Sequence, residues 1–201
     1  MGRTVSVSAF CVAASLVLLS ACAGNGTEGE AMSELNGGEY TAESRIDDVM
    51  TDPAFGDYGR LLFPVEREYM SGDTLGSLGL TWYSHIDPYE TVEIVNTLRE
   101  RAAAGDTVFY DIYTVDEKAA DPDKADTGLF FFRGDECAPF AVCSAGGAFA
   151  YVGAMQDSFP HALELSKRGY NAFALIYRPG AQTACEDLAR AISFIFAKVG
   201  S

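Results

Sequence analysis

Histidine and positive charge are what this chain has least of. It contains two histidines, His85 and His161, and 14 lysines and arginines against 29 aspartates and glutamates, a formal net charge of −15 at pH 7. That balance opposes polyanionic partners, nucleic acid and anionic lipid surfaces alike, because the field of the chain repels them. No C-x-x-C pair and no His/Cys cluster is present, so no metal site and no cofactor is expected. With histidine so scarce, a general base within the chain would have to be His85 or His161. His161 follows Phe159-Pro160 in the first turn of a predicted helix, and His85 leads into Ile86-Asp87-Pro88; both positions read as bland surface residues. Long apolar runs are missing as well. The N-terminal one, residues 5–19, falls short of the ~20 residues that span a bilayer comfortably.

That run is nonetheless a strong signal. Arg3 precedes it, and Leu19-Ser20-Ala21-Cys22 closes it with small residues, which fits a processed leader better than a stop-transfer segment. The tetrapeptide resembles the lipobox of bacterial lipoproteins. The resemblance implies cleavage before Cys22, a lipid on its thiol, and a protein held on the extracytoplasmic side of the bacterial cell envelope, with the membrane as partner through that lipid. Loss of Arg3 leaves 13 basic against 29 acidic residues, a net charge of −16. Residues 22–52 are rich in Gly, Glu, Ser and Thr and read as a flexible acidic tether. Of the five cysteines, Cys11 leaves with the leader and Cys22 carries the lipid. Cys137, Cys143 and Cys185 remain, an odd number that argues against a disulfide framework. Cys137 and Cys143 flank a predicted strand and stand ~20 Å apart at ~3.3 Å per residue, beyond disulfide reach. All three are expected to be buried or idle thiols.

Chemistry concentrates in residues 138–178. The apolar run at 138–143 reads as a buried strand that breaks into Ser144-Ala145-Gly146-Gly147-Ala148-Phe149, a glycine loop whose backbone N–H groups are free to face a cavity. Residues 157–168 place Phe159, Ala162, Leu163 and Leu165 at helical spacing, and Gly169 closes that helix. Residues 170–177 read as a second strand ending in Tyr177-Arg178, and 183–199 as another helix. Strand, loop, helix and strand together have the size of a parallel βαβ unit. Upstream, Asp87-Pro88-Tyr89-Glu90 is a capping box that starts a helix running to a stop at Gly105. Residues 107–115 and 127–133 read as strands joined by the polar, turn-rich 116–126. The run Phe130-Phe131-Phe132 is core packing rather than a carbohydrate platform. Arg178 at the strand end and Asp187 on the next helix are expected to meet as a bidentate structural salt bridge.

This block resembles the esterase/lipase branch of the α/β-hydrolases, which includes the hormone-sensitive-lipase-like and BD-FAE-type carboxylesterases. There an H/P-G-G-G motif followed by Phe or Trp ends one strand and a Tyr-Arg pair ends the next; here they fall on Ala145-Gly146-Gly147-Ala148-Phe149 and Tyr177-Arg178. Alanine stands at the first and last positions of the tetrad, yet the donors in such a site are backbone N–H groups, which a side-chain change leaves in place. The resemblance covers residues 107–199. It implies that Gly147 and Ala148 donate to an oxyanion, that Gly146 gives the loop its freedom, and that the substrate is a small-molecule or polysaccharide-linked carboxylic ester. An oxyanion donor of this kind is worth roughly 3–4 kcal/mol of transition-state stabilisation.

A G-x-S-x-G elbow, an acid and a histidine should follow the 183–199 helix in this fold. None is found. Gly72-Asp73-Thr74-Leu75-Gly76 has Thr for Ser, and the half-match around Ser144 has Val142 where glycine belongs. The expectation is therefore an α/β fold: antiparallel opening strands, then parallel βαβ, with flanking helices and without the nucleophile strand. Its divisions are a leader at 1–21, the tether at 22–52, an N-terminal helical extension at 53–106 and the front half of a hydrolase domain at 107–201. Such a chain is the front of a longer esterase or a short form that has lost the chemistry, and the 170–177 strand is expected at an unpaired parallel edge. The competing reading is a non-catalytic surface lipoprotein acting as a binding module. A flavodoxin-like phosphate site is weaker, since the glycine loop lacks a P-loop lysine and G-x-G-x-x-G spacing.

Overall fold

In the computed structural model, residues 38–198 are described, apart from residue 84. They belong to one compact unit, Gly37–Ser201. Its centre is a four-stranded mixed sheet made by β3 (Phe109–Tyr110), β4 (Gly128–Phe132), β5 (Phe140–Ser144) and β6 (Asn171–Ile176), in the order β3-β4-β6-β5. β3 and β4 are antiparallel, β4 and β6 are antiparallel, and β5 and β6 are parallel. A smaller antiparallel pair, β1 (Met70–Ser71) and β2 (Gly79–Leu80), stands apart from this sheet.

The phenylalanine run of β4 shows how the layers form. Successive strand residues face opposite sides, so Phe130 and Phe132 meet Phe159 of helix α4 (Ser158–Lys167) while Phe131 stacks on Phe173 on the other face. All three are buried. Helix α2 (Pro88–Ala103) packs against α4 on that first side. On the opposite side lies α5 (Ala181–Lys198), whose Phe194 and Phe196 reach Tyr110 and Phe140. α5 covers this face only in part. A cleft of about 620 Å³ remains over Tyr110, Phe131, Phe140 and Phe173, with Arg133 at its margin.

Local chemistry explains the helix ends. Asp87 caps α2 by accepting from the Tyr89 N–H, and Pro88 takes the first helical position, where its missing N–H costs nothing. α4 ends into Gly169 at φ 91°, the left-handed conformation that glycine adopts without strain.

Four expectations need correction. The tether does not extend to residue 52: Tyr40, Ile46 and Val49 are buried, and α1 (Ile46–Met50) belongs to the core. Asp52, the last residue of that stretch, is buried against Arg99 at 2.6 Å and accepts from the Tyr40 hydroxyl at 2.7 Å. The segment 53–106 is helical only in α2 and several short 3-10 turns, and it also carries β1 and β2. The strand expected over 107–115 is confined to Phe109–Tyr110. It gives way to α3 (Val115–Ala120), because Thr114 and Glu117 form a reciprocal capping box that makes a helix start favourable there. Finally, the 170–177 strand is not at an edge. β6 is paired on both sides, and among the described residues the parallel edge belongs to β5.

Buried and half-buried phenols tie these layers together and set an alkaline limit. Burial, then the hydrogen bond to Asp187, pushes Tyr113 up to about 12 from an ordinary value of 10.0. Burial and the neighbouring Asp157 push Tyr83 up to about 12 as well, and burial with Asp52 raises Tyr40. Since these phenols ionise more readily in the unfolded chain, the stability they contribute is whole below the unfolded value near 10 and is lost as pH climbs through the folded values. Urea midpoints should therefore hold to about pH 10 and fall steeply toward about pH 12. A flat midpoint across that window would contradict the burial of these hydroxyls.

Candidate functional site

The loop that follows β5 departs furthest from ordinary backbone. Gly147, Ala148 and Phe149 have φ of 133°, 51° and 60° in succession. For a residue with a Cβ the left-handed region costs roughly 1–2 kcal/mol, so two neighbours held there need outside support. The support is visible. Gly147 O accepts from Ala150 N and Tyr151 N, Gly146 O accepts from Gly153 N at 3.0 Å, and Phe149 O accepts from Gly180 N at 2.8 Å. A Cβ on Gly147 would lie 2.1 Å from the Tyr151 carbonyl oxygen, so the chain packs there at a distance open to glycine alone.

The N–H groups of the loop are not equivalent. Gly146 N–H donates to Asp157 Oδ2 at 2.7 Å, while the N–H groups of Gly147 and Ala148 have no acceptor among the described residues. Gly146 is thus anchored, and the three following amides, those of Gly147, Ala148 and Phe149, are unclaimed among the described residues. Tyr83 also donates to Asp157 Oδ2, at 3.2 Å, and Tyr177 donates to the Ala145 carbonyl at 2.7 Å. These hydroxyls fix both ends of the turn.

Arg178 and Asp187 stand just behind it. Arg178 Nη2 and Nε reach Asp187 Oδ1 at 2.7 and 3.2 Å, and the Arg178 backbone N–H donates to Asp187 Oδ2 at 2.8 Å. Tyr113 donates its hydroxyl to the same carboxylate at 2.6 Å, and Arg178 Nη1 meets Asp121 at 2.7 Å. Asp187 is fully buried, so the pair stiffens the turn 178–180, whose Gly180 N–H grips the glycine loop.

The other sequence candidates fall elsewhere. His161 is 71% exposed, with Nδ1 3.6 Å from Asp157 Oδ1, and His85 is exposed. Thr74, the serine analogue of the upstream look-alike, caps the 3-10 turn Leu75–Ser77. Ser144 is the exposed last residue of β5. Cys137, Cys143 and Cys185 are unbonded, and Cys137 and Cys185 are exposed rather than buried. Burial and the charge of Asp157 push the Cys143 thiol up, which disfavours the nucleophilic thiolate. Cys22 lies outside the described residues. Among those described, no cluster of His, Cys, Asp or Glu could hold a metal ion, and no helix is long and apolar enough to cross a membrane.

Sequence reading missed Asp157 and Tyr151, which hold the loop from just downstream, and Tyr83, which reaches it from a distant part of the chain. No local pattern marks a carboxylate that binds a backbone amide eleven residues away. No family model, curated protein or solved structure matches this chain.

Proposed function

We propose that the Gly146–Ala148 turn is the oxyanion-binding part of an ester-hydrolysing site of α/β-hydrolase type, on an exported protein anchored to the bacterial envelope through a lipid on Cys22. The observation that carries this reading is the pair of unclaimed N–H groups at Gly147 and Ala148, in a loop held left-handed by several backbone bonds. Strained backbone maintained by its surroundings is characteristic of functional turns. Donors fixed before the substrate arrives need no reorganisation when charge develops on the carbonyl oxygen. The antiparallel opening strands followed by a parallel β5-α4-β6 unit, with Tyr177-Arg178 at the end of β6, support the same assignment.

Gly147 and Ala148 would hold the oxyanion, and Gly146 with Asp157 would hold the turn. The sequence contains no G-x-S-x-G, so the serine, acid and histidine of the reaction are not assigned to any residue here. The chain itself is expected to hydrolyse p-nitrophenyl acetate no faster than a heat-killed control. The direct test is amide NMR with methylphosphonate, whose tetrahedral oxyanion imitates the intermediate. Saturable shifts should be largest at Gly147 and Ala148 and small at Gly146, whose N–H is taken. Shifts scattered over lysines and arginines, with those two amides unmoved, would sink the proposal. For the anchor, Cys22→Ser should move the protein from the membrane to the soluble fraction; unchanged fractionation would remove the lipid from the account.

The second reading is a surface lipoprotein that binds a ligand without converting it. Its support is the exposure of both histidines. Phosphonate shifts at Gly147 and Ala148 are expected of the ester site and not of an unrelated binding module.

A further inference from the structure

Trp82 is the only tryptophan in the chain, and its placement is unusual in two respects. It has φ of 71° and its side chain leaves the residue 65% exposed. A bulky residue in the left-handed region is strained, and glycine would relieve that strain. Burial does not explain the tryptophan, since most of its surface faces solvent.

What surrounds it is a built aromatic support. The indole stacks on Tyr151, centroids 5.7 Å apart and planes at 27°, and leans on Tyr69 at 5.8 Å; Tyr69 and Tyr151 are themselves stacked at 4.9 Å. Tyr151 is fully buried and hydrogen-bonds the Thr81 carbonyl next to Trp82. One side of the indole is therefore backed by rigid rings while the rest stays open. The support is continuous with the glycine loop, because the Tyr151 carbonyl is the atom that a Cβ on Gly147 would strike, and Tyr83 lies against Gly146 and Gly153.

We infer that Trp82 is a stacking platform for an uncharged pyranose ring of a glycan, placed beside the Gly146–Ala148 turn. The C–H face of such a ring is weakly electropositive and apolar, which suits the negative face of an aromatic ring. An open platform fits a ring within a chain better than an aryl group, which gains more from an enclosed pocket. The net charge of −15 disfavours polyuronates, which bring many negative charges at once. This deepens the ester-site reading only through position: the glycan would carry the ester toward Gly147 and Ala148. The stacking itself stands or falls separately.

The experiment uses the full chain and the fluorescence of Trp82, which reports on this site alone. Xylohexaose should change the emission saturably, and an oligogalacturonate of equal length and benzyl alcohol should not. Trp82→Gly relieves the strained φ, so it should fold at least as well as the parent by circular dichroism, while calorimetry should show about tenfold or weaker affinity for xylohexaose, the loss of one good aromatic stack. Trp82→Phe should retain part of the binding. Absent or non-saturable changes with xylohexaose, equal binding of the anionic oligomer or benzyl alcohol, or undiminished affinity in a folded Trp82→Gly would each overturn the inference. Sugar binding without phosphonate shifts at Gly147 would leave the platform standing and remove the ester site; the converse result would do the opposite.

Discussion

Asp187→Ala should destabilise the protein by about 3–5 kcal/mol, the cost of removing one partner from a buried ion pair. The truncation strands three donors at once: the Arg178 guanidinium, the Arg178 backbone N–H and the Tyr113 hydroxyl. Asp121 still neutralises one arm of Arg178, but it is partly exposed and cannot satisfy the backbone amide. At roughly 2–4 °C per kcal/mol for a domain of this size, the melting temperature should fall by about 10 °C. Replacing both partners, Arg178→Met with Asp187→Leu, should cost less than Asp187→Ala alone, since no buried charge is then left unpaired. Equal or greater damage in the double variant would show that the turn depends on the ion pair for more than charge balance.

Gly147→Ala should cost at least about 2 kcal/mol, through the forced φ and a clash that no side-chain rotation relieves. The obstacle is the Tyr151 backbone oxygen, at 2.1 Å from the added Cβ. The loop would have to open, and the phosphonate response at residues 147 and 148 should disappear with it. Ala148→Gly is the informative contrast. Residue 148 already has φ of 51°, so glycine relieves strain while adding freedom to the unfolded chain, and the two effects leave stability within about 1 kcal/mol of the parent. Its phosphonate shifts should be kept. A Gly147→Ala chain that melts with the parent and keeps those shifts would remove close packing at 147 as the basis of the site.

The contrast also shows what the sequence could tell. The motif reading placed a loop, a helix and two strands close to where they stand, because glycine, capping and periodicity act over a few residues. Ala148 in place of glycine looked like a departure, yet the backbone there keeps the conformation glycine would adopt. The error over 116–126 was avoidable, since Thr114-Val115-Asp116-Glu117 carries a capping box in plain sight. The error over 40–52 came from counting acids and glycines while Ile46 and Val49, three apart, marked one face of a short helix. Strand order was not legible by such means. Nothing local to residues 170–177 says that β4 will pair on one side of it, because that choice is made by contacts forty or more residues apart. The same limit hid Trp82, whose meaning lies in Tyr69 and Tyr151.

The position of β5 gives the chain's acidity a second meaning. With β6 on one side only, β5 presents a row of backbone donors and acceptors among the described residues, flanked by the exposed Phe140 and Phe196. An open edge beside apolar side chains is a template on which another molecule's edge can grow. Two copies that approach each other each bring a net charge of −15, and at low ionic strength that mutual repulsion reaches well beyond the strand spacing. Charge of one sign thus opposes the approach of a second such edge. Concentrated salt screens that repulsion, along with the exposed ion pairs, while leaving the backbone pairing of the sheet in place.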